Sequence, residues 1–377
     1  MNSISLADSA PSANSVGERA LEHFLAAGFV RLEPPFLHPA AIFLDMSGEE
    51  IRGRLFLTGG AAGEELCLRP EYTIPVCRAY LASDKAGRTA EYAYLGPVFR
   101  AQVEGGERAQ TGLESFGRRD KEAADAEIFA LSMEAAAEAG VSLAARLGDL
   151  GLFDSLLEAL ALPHVWRRRL RRGLARGRSL STILDGRGAS ALAQPGVLAA
   201  LESADHAGAK ALVEDLLAIA GIDAVGGRTA GEIADRFLEQ AALRSGEPMA
   251  ADQRSVLESY LAVSRDPDEA AERLRRLAHE AGLDLDRTLD AFERRNGFIA
   301  ARGVPIEKTV FSAAFVRDFD YYTGFVFEAR DPTRPEAKPA LGGGRYDGLA
   351  RRLGASEDIP AVGAAIAIDR LTNGGAR

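Results

Sequence analysis

Between residues 15 and 28 the apolar positions recur at helical spacing. Val16, Ala20, Leu21, Phe24 and Leu25 fall on one face, the pattern of an amphipathic helix. Ser15 and Glu18 have the spacing of a capping box, and Gly28 supplies a stop. From Phe29 to about Arg100 the period shortens. FVRLEPPFL, GRLFLTG, EELCLRP and EYAYLGPVFR are short extended runs punctuated by Pro34, Pro35, Gly59, Gly60 and Gly63, which predicts strands and turns. Asp120 then opens an alanine-rich helix that closes at Gly140. Residues 147–303 are rich in Ala, Leu, Arg and Glu and poor in β-branched residues, so they read as helical. Gly226, Gly227 and Pro267 are candidate breaks. Strand character returns at residues 308–330 and 361–368. Two β-rich blocks therefore flank a helical one. This pattern predicts an α+β chain whose single mixed sheet is built from both ends, with a helical insertion between them. No internal repeat is visible.

A length of 377 residues suits two domains, or one large domain with an insertion. Hydrophobic residues make up 47% and charged residues 27%, an ordinary globular composition. No apolar run approaches the roughly eighteen residues of a membrane span, so no membrane partner is expected. The opening MNSISLADSAPSANS is polar and lacks the basic start and apolar core of a signal peptide. Residues 1–14 are expected to be a disordered lead-in. Cys67 and Cys77 fit neither a disulfide framework nor a zinc site. They are expected to be small core residues in a reducing cytoplasm.

A net charge of −10 weighs against general nucleic-acid binding. One local exception is WRRRLRRGLARGR, residues 166–178. It reads either as a solvated helix face or as a contact with a protein or RNA partner.

LGGGRYDGL, residues 341–349, has no Gly-Lys-Ser/Thr ending and does not fit G-x-G-x-x-G, so neither nucleotide fingerprint applies. Taken alone it predicts a tight turn. The five histidines are scattered and no serine lies in a G-x-S-x-G elbow, which leaves no readable zinc site or covalent hydrolase. What remains is a set of polar and aromatic residues in strand-like contexts: Glu71 and Thr73 in RPEYT, Arg100 in GPVFR, Gln110 and Glu114 in AQTGLESFG, Arg317, Tyr322 and Tyr346. Each could cap a loop or pair with another member. As a group they suit a ligand with its own ammonium group, whose carboxylate an arginine could grip bidentately. An amino acid has both groups.

The set and order of these stretches resemble the class II aminoacyl-tRNA synthetase catalytic domain, specifically that of histidyl-tRNA synthetase. The stretches are LRPEYT (68–73), GPVFR (96–100), GLESFG (112–117), DAEIFAL (125–131), VRDFDYYTGFVFE (316–328), GGGRYDGLARRLG (342–354) and VGAAIAIDRL (362–371). The resemblance runs from about residue 15 to 371, more loosely through the helical middle. It implies an antiparallel sheet flanked by helices, formed by residues 15–165 and 266–377, with a helical insertion at 166–265. By the same resemblance Glu71, Thr73 and Gln110 would hold a histidine amino group. Glu114 and Tyr322 would meet the imidazole, and Tyr346 would complete the pocket, with Arg317 and Tyr321 in the same tyrosine motif. A carboxylate and a phenol can together satisfy imidazole N–H groups.

The family's catalytic apparatus is less complete. Gln102 stands where the synthetases have an acid two residues after the GPVFR arginine, and the loop that follows is shorter. Ala367 replaces a glycine that lets ATP approach, and Tyr72 stands where a small residue is common. Arg100 and Arg370 are retained as vestigial nucleotide-binding positions. The sequence runs only six residues past Leu371, so no anticodon-binding domain is expected. This combination resembles the synthetase-like regulatory subunits of ATP phosphoribosyltransferase. It implies a non-catalytic, cytoplasmic protein with no cofactor and with two partners: the short catalytic subunit, and L-histidine as feedback effector. The resemblance further implies a homodimer within a hetero-oligomer. The alternatives are a truncated synthetase paralogue that activates an amino acid with ATP, and an RNA-binding module resting on residues 166–178.

Overall fold

The computed structural model describes residues 13–47, 49–103, 105–185, 215, 224–225, 228–229, 249–317 and 321–372. Most of the expected lead-in, and the expected insertion between 186 and 248 apart from five residues, lie outside them. The strands are β1 (Val30–Arg31), β2 (Leu37–Pro39), β3 (Leu57–Gly59), β4 (Glu65–Leu68), β5 (Ala90–Phe99), β6 (Glu107–Phe116) and β7 (Ala144–Asp149). They continue with β8 (Ala224–Val225), β9 (Arg228–Thr229), β10 (Ser264–Arg265), β11 (Val310–Ser312), β12 (Phe325–Arg330), β13 (Leu341–Arg345) and β14 (Ala361–Ala367). Nine of them form one sheet in the order β1-β5-β6-β14-β13-β12-β7-β11-β10. Only β1–β5 and β7–β11 are parallel pairs. The sheet is therefore largely antiparallel and is built from both ends of the chain, as the two β-rich blocks predict. A small sheet β2-β4-β3 and the hairpin β8–β9 stand apart from it.

The first helix, α1, spans Ala13–Ala26. It buries Val16, Ala20, Leu21 and Phe24, the face expected from periodicity, while Leu25 is exposed. Ser15 lies inside this helix and not at its cap, because the helix starts earlier than the capping-box spacing suggests. Next come α2 (Ala40–Ser47), α3 (Thr73–Leu81) and α4 (Lys121–Glu138). Asp120 occupies the N-cap position of α4, and Gly140 follows its end in the left-handed region at φ 80°, where glycine is favoured. Then follow α5 (Leu150–Ala159), α6 (His164–Ala175), α7 (Leu180–Asp185), α8 (Ala251–Leu261), α9 (Pro267–Glu280) and α10 (Asp286–Ala301). Pro267 does act as a break. It is the first residue of α9, and Asp266 caps that helix by accepting from the amides of Asp268 at 2.9 Å and Glu269 at 3.2 Å. The chain closes with α11 (Leu349–Arg352) and α12 (Ile368–Thr372).

The sheet has two different faces. One carries Leu113, Val362, Ala364 and Ile366 and packs against α1 and α4 in the larger core. The other meets α3 and α11 in a second cluster rich in tyrosine: Tyr72, Tyr80, Tyr94, Tyr321, Tyr322 and Tyr346. Both cysteines are buried and free, as expected. The expected glycine turn is not seen. Residues 341–345 of LGGGRYDGL form the buried strand β13 and not a turn. A Cβ on Gly343 would lie 2.2 Å from the Gly363 carbonyl and 2.7 Å from the Phe327 ring. The glycines there admit neighbouring strands and side chains instead of bending the chain.

Candidate functional site

Strand alternation places Arg108, Gln110, Gly112 and Glu114 of β6 on one face. The N-terminal end of α3 comes up against that face. Glu71, two residues ahead of the helix, accepts from the amides of Thr73 at 2.7 Å and Ile74 at 3.0 Å, satisfying donors that a helix start leaves open. Thr73 Oγ1 in turn donates to Glu114 Oε1 at 2.8 Å, and the Tyr346 hydroxyl donates to Glu114 Oε2. Two carboxylates, a threonine and a tyrosine thus form one buried network, with Glu114 at 0% and Glu71 at 7% exposure.

Burial dominates the electrostatics. It pushes the Glu114 carboxyl up to about 8, against the hydrogen bonds from Tyr346 and Thr73 and with help from nearby Glu71. Burial likewise lifts Glu71 to about 7, opposed by the Ile74 and Thr73 amides and by the charge of Arg100. Both shifts favour the protonated form of this pair as pH falls towards neutrality. A cation placed between the two carboxylates would displace those protons.

The aromatic wall stands over these carboxylates. The Tyr321 ring meets Tyr346 edge-on at 5.8 Å and Tyr322 at 4.9 Å. Tyr322 feels both Arg317 and Glu114. Missing side chains make the floor. A Cβ on Gly363 would fall 1.5 Å from Glu114 Oε2, and one on Gly342 would fall 1.8 Å from Arg317 Nη1. Arg317 lies in that space and donates to the Phe327 carbonyl at 3.1 Å. Among the described residues, two buried polar atoms at this site have no hydrogen-bond partner: Gln110 Oε1 and Arg317 Nε. An ammonium donor and a carboxylate acceptor are the groups that would complete them.

Arg100 and Arg370 form a separate corner. Arg100 Nε donates to the Pro70 carbonyl at 2.8 Å and Arg370 Nη1 to the Pro339 carbonyl at 2.6 Å. Arg100, Arg108 and Arg317 all lie close enough to lower the pKa of Arg370, after the larger effect of burial. The structure thus gathers Glu71, Thr73, Glu114, Tyr321, Tyr322 and Tyr346 in one pocket, with Gln110 and Arg317 beside it and Arg100 and Arg370 at its edge.

Several participants were not singled out from sequence. Tyr94 is fully buried, stacks on Tyr72 at 4.1 Å and donates to the Ala364 carbonyl at 3.3 Å. It sits opposite Gly112 in the ladder, and a Cβ there would lie 2.4 Å from its hydroxyl. Tyrosine facing glycine across a hairpin was a readable signal. Beneath the pocket, buried Asp125 pairs with Arg345 at 2.6 Å and Arg295 at 3.7 Å, and Arg295 reaches Asp149 at 2.5 Å. This ionic hub ties β13 to α4, β7 and α10. Among the described residues no group of His, Cys, Asp or Glu could hold a metal ion, and no helix is long and apolar enough to cross a membrane.

A model of the histidyl-tRNA synthetase family matches residues 5–371. Among solved structures, an ATP phosphoribosyltransferase regulatory subunit/histidyl-tRNA synthetase from Bacillus halodurans aligns with TM-score 0.67 and 22% identity, covering 99% of this chain and 82% of that one. Histidyl-tRNA synthetase from Nostoc sp. PCC 7120 aligns with TM-score 0.64 and 15% identity, covering 99% and 75%. The architecture is that of a class II synthetase catalytic domain. Closer relatives sharpen this. The ATP phosphoribosyltransferase regulatory subunit of Mesorhizobium japonicum is 41% identical over 92% of this chain and 94% of its own length. That of Brucella anthropi is 41% identical over 90% and 92%. The chain belongs to this histidyl-tRNA synthetase-like family of ATP phosphoribosyltransferase regulatory subunits.

Proposed function

We propose that the chain is the non-catalytic regulatory subunit of ATP phosphoribosyltransferase and mediates feedback control by L-histidine at the first step of histidine biosynthesis. It works in the cytoplasm beside a short-form catalytic subunit, as a homodimer within a hetero-oligomer. The synthetase-like domain comprises about residues 15–165 and 266–377 and the insertion about 166–265, whose two ends, α6 and α8 to β10, pack into the domain's larger core and sheet. Glu71, Thr73 and Gln110 take the ligand's ammonium, Glu114 and Tyr322 its imidazole, and Arg317 its carboxylate, with Tyr321 and Tyr346 closing the pocket. The observation that carries the reading is the buried Glu71–Thr73–Glu114–Tyr346 network beside two orphaned polar atoms. Such groups are costly to bury unless a ligand of matching charge completes them.

Histidine binding favours one quaternary arrangement, and the catalytic subunit loses activity through that coupling. A typical coupling of about 1–3 kcal/mol corresponds to roughly 5- to 150-fold in affinity. The test is reconstitution. A short catalytic subunit from the same genome is assayed alone, with this chain, and with this chain plus histidine. Activity should rise on adding the chain and fall on adding histidine. If the chain neither binds the enzyme nor changes its rate, the assignment fails. Histidine-dependent exchange of pyrophosphate into ATP by the isolated chain would instead favour an amino-acid-activating paralogue, the reading that Arg100 and Arg370 leave open.

A further inference from the structure

Tyr346 closes the proposed pocket by donating to Glu114, and it stands between Arg345 and Asp347 at the end of β13. Neighbours in an extended segment point to opposite sides. The phenol therefore faces the pocket while its two charged neighbours face α4. Arg345 is only 6% exposed, and its guanidinium spans three partners. Nη2 lies 2.6 Å from Asp125 Oδ1 and donates to the Lys121 carbonyl at 2.9 Å, and Nη1 donates to Asp347 Oδ1 at 2.9 Å. The same Asp347 oxygen accepts from the Ala361 amide at 3.0 Å, and Oδ2 accepts from Lys121 Nζ at 2.7 Å.

The same residues reach the other tyrosines. Thr323 directly follows Tyr321 and Tyr322. Its amide donates to the Arg345 carbonyl at 2.8 Å, and its Oγ1 accepts from the Asp347 amide at 3.1 Å. The Tyr346 amide is itself tied to the Ala361 carbonyl at 2.8 Å. Two separate chain segments are thus laced together residue against residue. The three phenols sit on the laced part, where the Tyr321 ring meets Tyr322 at 4.9 Å and Tyr346 at 5.8 Å.

We propose that Arg345 is a positioning residue for this pocket: through Asp347 and Asp125 it locks the segment carrying Tyr321 and Tyr322 onto Tyr346, and so sets the selectivity for a ring that bears N–H groups. This role rests on the histidine reading of the site, which it deepens. For stability alone, well-packed apolar side chains usually serve as well as buried charges. What a planar guanidinium adds is direction. It holds three acceptors at fixed angles, which a lysine ammonium on a flexible stem does not. Glu114 and the phenols penalise a ring without N–H groups only while they are held where such a ring leaves them unpaired. A pocket free to relax would pair them with one another and lose that penalty.

The full chain is titrated by calorimetry with L-histidine and with thienylalanine, an amino acid of similar size whose ring has no N–H. The wild-type chain should favour histidine by about 100-fold or more. Arg345→Lys keeps the charge but not the fork. It should lower histidine affinity by about tenfold and leave thienylalanine within about twofold, so the ratio shrinks. A purely structural role would lower the unfolding temperature and leave that ratio alone. Thr323→Val, an exposed and nearly isosteric change, removes the Oγ1 acceptor without touching an ion pair and should shrink the ratio by about threefold. It decides the matter if Arg345→Lys does not fold. Arg294→Gln cuts a different ion pair to α4, that with Glu122, and should change neither affinity nor ratio. The positioning role is overturned if the ratio is unchanged in the folded variants, or if Arg294→Gln shrinks it as much. If the wild-type chain binds histidine no better than thienylalanine, the histidine reading itself fails and takes the role with it.

Discussion

The proposed amino-acid pocket and the arginine corner beside it lie side by side yet are built differently. In the pocket, polar groups are directed at one another: Thr73 and Tyr346 both donate to Glu114, and Glu71 is fixed by two amides. In the corner, Arg100 and Arg370 are tied to backbone carbonyls of Pro70 and Pro339 and retain further donors, as a guanidinium has five. Glu114 is fully buried, whereas the corner arginines are only partly so. A prearranged set of carboxylates and phenols specifies a ligand, because a mismatched one leaves them unpaired. Partly exposed arginines attract anions with much less selection. The pocket keeps the rigidity of an active site. The corner keeps only its charge.

The largest effect that would break this contrast is Glu114→Ala. It strips the acceptor from Tyr346 and Thr73 in a fully buried place and removes the proposed imidazole partner. Histidine affinity, measured by calorimetry, should fall roughly 100-fold. A change within about twofold would mean that the effector binds elsewhere.

A smaller effect comes from pH. Glu71 and Glu114 have folded-state pKa values of about 7 and 8 against an ordinary 4.5. The folded chain therefore holds more protons than the unfolded one between these limits. The stability they contribute is complete below about 4.5 and is lost as pH rises through 7 and 8. Unfolding temperature of the ligand-free chain should decline over that window, and Glu114→Gln should flatten the decline. Histidine, whose ammonium compensates the ionised pair, should bind more tightly as pH rises from about 6 to 8, releasing roughly one proton near pH 7. Calorimetry in buffers of different ionisation enthalpy measures that proton, and a result near zero would contradict the buried-dyad description.

The smallest effect is expected in the corner. Arg370→Ala should change histidine affinity by no more than about threefold, or roughly 0.6 kcal/mol. A loss as large as that of Glu114→Ala would erase the distinction between the two regions.

How much of this was legible depended on whether a feature was local. The α1 core face, the Asp120 and Gly140 boundaries of α4, and the two-ended sheet follow from periodicity and punctuation, which a sequence displays directly. The pocket residues stood out because charged and phenolic groups in strand contexts need partners. Gly342 to Gly344 misled, since a glycine that frees a turn looks the same in sequence as one that makes room for Arg317 or a neighbouring strand. The strand β10 passed unnoticed inside a helical stretch because it is two residues long and takes its conformation from pairing with β11. The basic run at 166–178 was visible in the sequence, but that α6 comes to share a cavity lining with Arg317 depends on a fold that brings residues 167 and 317 together.

The position of β14 has a consequence for how the molecule comes into being. It lies between β6 and β13, pairing residues 110–116 with 361–367. A chain emerging from the ribosome cannot close the centre of its sheet until residue 367 is available. Until then β6 and β13 expose unpaired edges, and contacts of such long sequence separation form slowly. Glu114 meets its floor, Gly363, only at that late step. The pocket is thus among the last parts of the chain to mature, and nascent or truncated chains should be stickiest along the strands that will later surround that pocket.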